Sequence, residues 1–205
     1  MNGLCSPFNR SPYELFARHA AHIRAIDPLL FSGQLSAHGA RVRRFTGLLT
    51  ELGAADPDSE AATLTYRAAY RQHWRLLPGA PDVLRDLRAA GLRLAVLTNY
   101  VREVQGQKLA HFGLDALVDA VLCVEDVPAA KPDARAYHAA CAALNVTPAQ
   151  AVMVGDSWEK DVQGARAAGL RAVWVSRAGL PAPEPGVPVV SRLADLPAAL
   201  GLVPA

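Results

Sequence analysis

Cysteine is scarce. Cys5, Cys123 and Cys141 are an odd number with no CxxC pair and no His/Cys cluster at zinc-ligand spacing, which argues against both a disulfide framework and a structural zinc. No apolar run approaches the roughly 18 to 20 residues that span a bilayer, and the start, MNGLCSPFNR, has no apolar segment of the signal-peptide kind. The expectation is a cytoplasmic protein without a membrane partner. Charge of one sign is missing too: 21 Lys+Arg against 19 Asp+Glu give a formal net charge of +2, too balanced for a nucleic-acid footprint. A small molecule is therefore the expected partner. Lysine is almost absent, since 18 of the 21 basic residues are Arg and only Lys108, Lys131 and Lys160 are Lys.

What is present is an ordinary globular composition. The chain has 205 residues, 51% hydrophobic and 20% charged, enough to bury a core. From about Ser11 to Leu77 the apolar residues recur at helical spacing without a convincing strand. One predicted helix covers YELFARHAAHIRAI, with Phe16, Ala20 and Ile23 on one face, and ends at Asp27-Pro28 because a residue before proline avoids the helical region. A second covers Val42 to Leu52 and stops near Gly53. A third starts at Asp58 or Ser59, with an apolar stripe of Ala61, Leu64 and Ala68.

After Pro78 strands and helices alternate: PDVLRDLRAAG, then LRLAVLTN, the helix around VREVQGQKLAHFG, DAVLCV, DARAYHAACAAL, AVMVGD, EKDVQGARAAG and RAVWVS. That alternation predicts an α/β architecture with a parallel sheet. The continuous apolar runs LAVL, AVMV and AVWV suit strands covered on both faces. Asp133 is placed to cap the helix that follows it, and Thr147-Pro148-Ala149-Gln150 has capping-box spacing.

In an open parallel sheet ligands sit at the carboxyl ends of the strands. There the sequence puts Thr98-Asn99 after LRLAVL, Lys131-Pro132-Asp133 before a core helix, and Gly155-Asp156-Ser157 after AVMV, with Asp161 five residues beyond Asp156. Each has a bland reading. Thr98 suits a strand end, Asp156 a helix cap, and Asp161 the first turn of a helix. A lysine directly before proline, in a chain that otherwise writes Arg, instead points to a compact ammonium charge that a guanidinium does not replace. Together, hydroxyl, ammonium and paired carboxylates are what a phosphoryl group with Mg²⁺ requires.

Thr98 in LAVLTN, Lys131 in AAKPD and Asp156/Asp161 in VMVGDSWEKD resemble motifs two, three and four of the haloacid dehalogenase-like hydrolase superfamily. The resemblance implies a Rossmann-like core over 78–205 and an inserted α-helical cap over 13–77. Residues 1–12 would then be a remnant following the first core strand. It also implies an aspartyl-phosphate mechanism, with an Asp nucleophile in a DxDGT segment and a second Asp there as acid and base. Thr98 and Lys131 would act catalytically, and Thr98, Asn99 and Lys131 would bind phosphate. Asp156 would ligate Mg²⁺, and Asp161 would hold a metal-bound water or orient Lys131.

The first motif is missing: residues 1–12 contain no Asp and no apolar strand, although Asn2-Gly3-Leu4 resembles the tail of a degraded DxDGT. The family places that strand between those carrying Thr98 and Asp156, so its absence would expose two unpaired edges. A start-site assignment, a truncation and a genuine loss all fit the sequence. The leading reading is a Mg²⁺-dependent phosphatase of a small phosphorylated metabolite, inactive as written for want of the nucleophile. The alternatives are a non-catalytic phosphate- or protein-binding relative and, less favoured, a metal-independent 2-haloacid dehalogenase. The cap arginines Arg41, Arg43, Arg44, Arg67, Arg71 and Arg75 read as mainly solvated, and Trp158 as either pocket-lining or packing. Cys5, His38, His73 and His111 receive no role.

Overall fold

The computed structural model describes residues 11–202, whose contacts divide between Trp74 and Arg75 into two compact units. The first is helical: α1 (Pro12–Phe31), α2 (Ala37–Glu51) and α3 (Ser59–Gln72). Each begins on an oxygen that accepts a free first-turn amide: Ser11 Oγ from Glu14, Ser36 Oγ from Gly39 and Asp58 from Ala61.

Three expectations fail in this unit. Helix α2 starts at Ala37 on Ser36 and not at Val42. Helix α1 does not end at Asp27-Pro28 but runs through Pro28 to Phe31. The ring costs the bond to the carbonyl four residues back. Against that loss, Leu29, Leu30 and Phe31 become half-buried, and Asp27 pairs with Arg44 at 2.5 Å across to α2. That pair also removes Arg44 from the solvated arginines, its side chain being only 16% exposed. Nor does α3 bury Ala61, Leu64 and Ala68, all of which are exposed, as is Phe16 on α1. Its buried residues are Ser59 and Thr63. Thr63 Oγ1 donates to Ser59 O at 2.7 Å, and Thr46 Oγ1 on α2 donates to Ser59 Oγ at 2.8 Å. The buried hydroxyls of Ser59 and Thr63 are thus satisfied within the α2–α3 pair.

The second unit runs α4 (Ala80–Ala89), β1 (Ala95–Leu97), α5 (Arg102–His111), β2 (Ala120–Leu122), α6 (Ala134–Ala143), β3 (Val152–Gly155), a π-helical turn (Trp158–Gln163), α7 (Gly164–Ala167), β4 (Arg171–Val175), β5 (Val189–Val190) and α8 (Leu196–Ala199). All strand pairs are parallel, giving the α/β core that the alternation predicts. Val83 and Leu87 of α4, Val173 and Val175 of β4, Val190 and Leu196 form one buried cluster. Tyr137 of α6 forms a second with Ala165 and Ala168, and Leu97 of β1 and Met153 of β3 pack against it.

The strands form two sheets, β1-β2 and β3-β4-β5. Thr98 N donates to Leu122 O and Ala120 N to Leu94 O, so the even-numbered residues of β1 face β2 and Ala95 and Leu97 turn their backbone groups the other way. Arg171 N donates to Ala151 O, which leaves Val152 and Val154 facing away from β4. Among the described residues no strand pairs with either edge. The strands carrying Thr98 and Asp156 therefore do not close up on one another. Consistently, β1 and β3 are half-buried along their whole length, whereas Val173 in β4 is 2% exposed.

The segment EKDVQGARAAG departs from the simple helix predicted for it. It opens as the π turn and becomes α-helical only at Gly164. The wide turn starts on Ser157, whose Oγ accepts from Lys160 N at 3.2 Å, and it sets Asp161 against the end of β3.

Candidate functional site

Gly155 ends β3 because nothing larger fits there: a Cβ would fall inside the Asp161 side chain. Tucked in this way, Asp161 is 7% exposed. Its Oδ2 accepts from Ser157 N at 3.0 Å, and its Oδ1 pairs with Lys131 Nζ at 2.6 Å. Both side chains of the pair are 9% exposed. A charge pair so far out of water is held by geometry and by further hydrogen bonds, because desolvation offsets much of the attraction. The further bond comes from Lys131 Nζ to Leu97 O at 2.9 Å, on the unpaired side of β1. One ammonium thus spans from the open edge of β1 to the acid beside β3.

Asn99 fixes the lysine's backbone. Its Nδ2 donates to Lys131 O and its Oδ1 accepts from Lys131 N, both at 2.8 Å. Here the Asn99 amide is spent on the lysine loop. The Lys131-Pro132 peptide is cis. Asp133 caps α6 as predicted, accepting from Arg135 N at 2.9 Å and pairing with the Arg135 guanidinium, which with the amide holds its carboxyl down to about 2. Thr98 Oγ1 accepts from Tyr100 N at 3.1 Å, which orients the hydroxyl in the turn leaving β1.

Asp156 differs from Asp161. It is exposed, and its carboxylate takes part in no hydrogen bond or ion pair among the described residues; only its backbone carbonyl is held, by Trp174 Nε1 at 3.1 Å. No three His, Cys, Asp or Glu side chains of the described residues gather as a metal cluster. Chemically, the arrangement offers a fixed ammonium and a fixed hydroxyl for an anion, with one open carboxylate at the next strand end.

Sequence reading missed the residues behind this arrangement. Tyr137 is fully buried, and its hydroxyl donates to Lys160 O, next to Asp161. Burial, and then the Asp161 charge, push that phenol up to about 12. The available signal was a single bulky aromatic in the alanine-rich ARAYHAACAA. Of the two readings of Trp158, packing holds: its ring meets Trp174 edge-on at 5.4 Å and lies against Val162, Ala172 and Val187. Cys5 and the Asn2-Gly3-Leu4 segment lie outside the described residues.

The L-2-haloacid dehalogenase of Xanthobacter autotrophicus with chloropropionic acid covalently bound shares 25% identity at a TM-score of 0.70, over 90% of this chain and 84% of that one. A HAD-hydrolase of Bacillus subtilis, whose structure contains magnesium, superposes at a TM-score of 0.71 with 22% identity, over 94% of this chain and 85% of that one, a likeness of fold. The phosphoserine phosphatase of Thermus thermophilus is 41% identical over 157 residues, covering 76% of this chain and 62% of that protein. The chain thus spans less than two thirds of that relative's length. A family model for haloacid dehalogenase-like hydrolases matches residues 8–169, a stretch that contains every one of the residues assembled around Lys131, and the chain belongs to that family.

Proposed function

We propose that this chain is the phosphate-handling core of a Mg²⁺-dependent phosphatase acting on a small phosphorylated metabolite. The observation that carries the reading is the Lys131–Asp161 pair at 2.6 Å, held at the carboxyl ends of β1 and β3 beside Thr98. Lys131 neutralises the phosphoryl charge and the Thr98 hydroxyl donates to a phosphoryl oxygen. Asn99 acts by holding the lysine's backbone, and Asp161 orients the ammonium. The 41% identity to a phosphoserine phosphatase supports a phosphoric monoester as substrate class.

The donor set suits magnesium in its sparse form, which takes one or two carboxylates and completes its shell with water and substrate oxygens. Both Asp161 oxygens are engaged, by Lys131 and by Ser157 N, so Asp156 is the carboxylate that would hold the ion. When bound, magnesium supplies charge neutralisation at the phosphoryl group. Residues 1–12 contain no aspartate, so the carboxylate that the family's mechanism requires there is not in this sequence. For these 205 residues the reading expects binding without turnover.

Two measurements test it: calorimetric titration with inorganic phosphate, with and without Mg²⁺, and hydrolysis of p-nitrophenyl phosphate. Expected are phosphate binding strengthened by Mg²⁺, a loss of about ten-fold or more in Lys131→Ala, and loss of the Mg²⁺ effect in Asp156→Asn. Absence of phosphate binding, or affinity unchanged in Lys131→Ala, overturns the reading. Metal-independent release of halide from a 2-haloacid would replace it with dehalogenation. Phosphate binding without turnover, even when a DxDGT-bearing segment precedes Met1, favours the non-catalytic relative.

A further inference from the structure

The acidic segment 156–161 is tied at both ends by aromatic side chains that no motif reading includes. At its start, Trp174 Nε1 on β4 donates to Asp156 O at 3.1 Å. At its far end, the Tyr137 hydroxyl on α6 donates to Lys160 O, one residue before Asp161. Lys160 lies within the π turn, a local form that departs from regular α-helical bonding. The two ties come from different elements, so they fix the segment against the sheet and against α6 separately.

Gly164 brings Tyr137 and the residue after Lys131 close to the same turn. A Cβ at Gly164 would collide with the Tyr137 hydroxyl and would lie 2.8 Å from Pro132 Cβ. Gly164 therefore lets the turn seat closely on α6 and on the residue that follows Lys131. Tyr137 is 0% exposed, so its hydroxyl has no water to fall back on, and removing it takes away the side-chain donor of Lys160 O.

We propose that Tyr137 and Trp174 are positioning residues that set the Asp156–Asp161 segment against Lys131, so that phosphate affinity depends on two hydrogen bonds made away from the ligand. The proposal rests on the phosphate-handling reading above. It is tested by pairing two measurements on Tyr137→Phe, Trp174→Phe and a control, Cys141→Ala, which opens a small cavity on the same helix as Tyr137 without touching the segment. The first is the calorimetric affinity for inorganic phosphate with Mg²⁺. The second, independent of any ligand, is amide hydrogen exchange at Ser157 and Asp161, whose N–H groups bond to Asp161 Oδ2 and Ser157 O.

Loss of one hydrogen bond to the segment is expected to weaken phosphate binding about five-fold in each phenylalanine variant, with faster exchange at both amides. The control is expected to lower the melting temperature without either effect. Unchanged exchange in both phenylalanine variants overturns the proposal, and so does a phosphate loss that merely tracks melting temperature across all three proteins. If Tyr137→Phe does not fold, Trp174→Phe alone decides by the same criteria. If the unaltered protein binds no phosphate, the reading of the site falls. The exchange data then still decide whether the ties hold the segment, and a proposal limited to phosphate affinity is overturned with that reading.

Discussion

Asn99 is the residue whose sequence signal and structural position differ most. Beside Thr98 at a strand end it reads as a phosphate ligand, yet its amide makes two 2.8 Å bonds to the backbone of Lys131. A sequence shows that an amide is present at a strand end, not which of two nearby acceptors takes it. Thr98, Lys131, Asp156 and Asp161 were singled out because they lie at strand ends and match motifs that the resemblance names, and the structure brings Lys131 and Asp161 together. The clamp was not legible, because 32 residues separate its two sides. Replacing Asn99 by Ala removes both bonds and leaves a half-buried N–H and C=O unsatisfied. The expected cost is about 2 to 3 kcal/mol, read as a lower midpoint in urea, together with weaker phosphate binding. Full stability in Asn99→Ala with phosphate affinity lost would return the amide to the ligand.

At the scale of elements, helix starts marked by an acidic cap were legible, and helix interiors were less so. Asp58 and Asp133 cap as the sequence predicts, because capping is local, whereas α2 begins on Ser36 at Ala37, five residues before the predicted Val42. Pro28 and the buried face of α3 were misjudged because packing between helices decides them. If α1 truly continues through Pro28, Pro28→Ala restores one helical bond, and the protein should gain about 2 kcal/mol. A loss of stability in a thermal melt would instead favour a helix ending at Asp27. Helix α6 offers a test by pH. The Asp133 carboxyl is held at about 2 in the folded protein against an ordinary 3.8, first by the Arg135 guanidinium and then by the Arg135 amide. A depressed folded pKa contributes stability that is fully present above the unfolded value and is lost as pH falls through the folded one. Asparagine caps nearly as well as aspartate but carries no charge. The stability difference between the protein and Asp133→Asn should therefore be constant near neutrality, shrink once pH falls below 3.8, and vanish by about 2. A difference that stays constant through that window would mean that the charge contributes nothing to the cap.

Across the whole molecule, the alternation of strand and helix after Pro78 was enough to predict the parallel α/β core, and the expectation of two unpaired edges came from the place where the first motif is missing. Strand pairing itself is not written in apolar runs: LAVL and AVMV look as complete as AVWV, yet only β4 has partners on both sides among the described residues. This gives a test that reads the sheet residue by residue. The amides of Ala95, Leu97, Val152 and Val154 point away from their paired neighbours, while those of Val96, Met153 and Val173 point toward them. If the edges are open, the first group should exchange with solvent about a hundred-fold or more faster than the second. Equal protection would mean that backbone from outside the described residues lies along both edges. The site makes the comparison sharper still. Lys131 Nζ takes Leu97 O, one of the carbonyls on the open side of β1, and carries that contact to Asp161 beside Gly155. A single side chain therefore does at the strand ends what a paired backbone would do along their length. In Lys131→Ala the two sheets lose this bridge, and exchange at the paired amides of Val96 and Met153 should rise together, whereas backbone lying along both edges would leave them as slow as before.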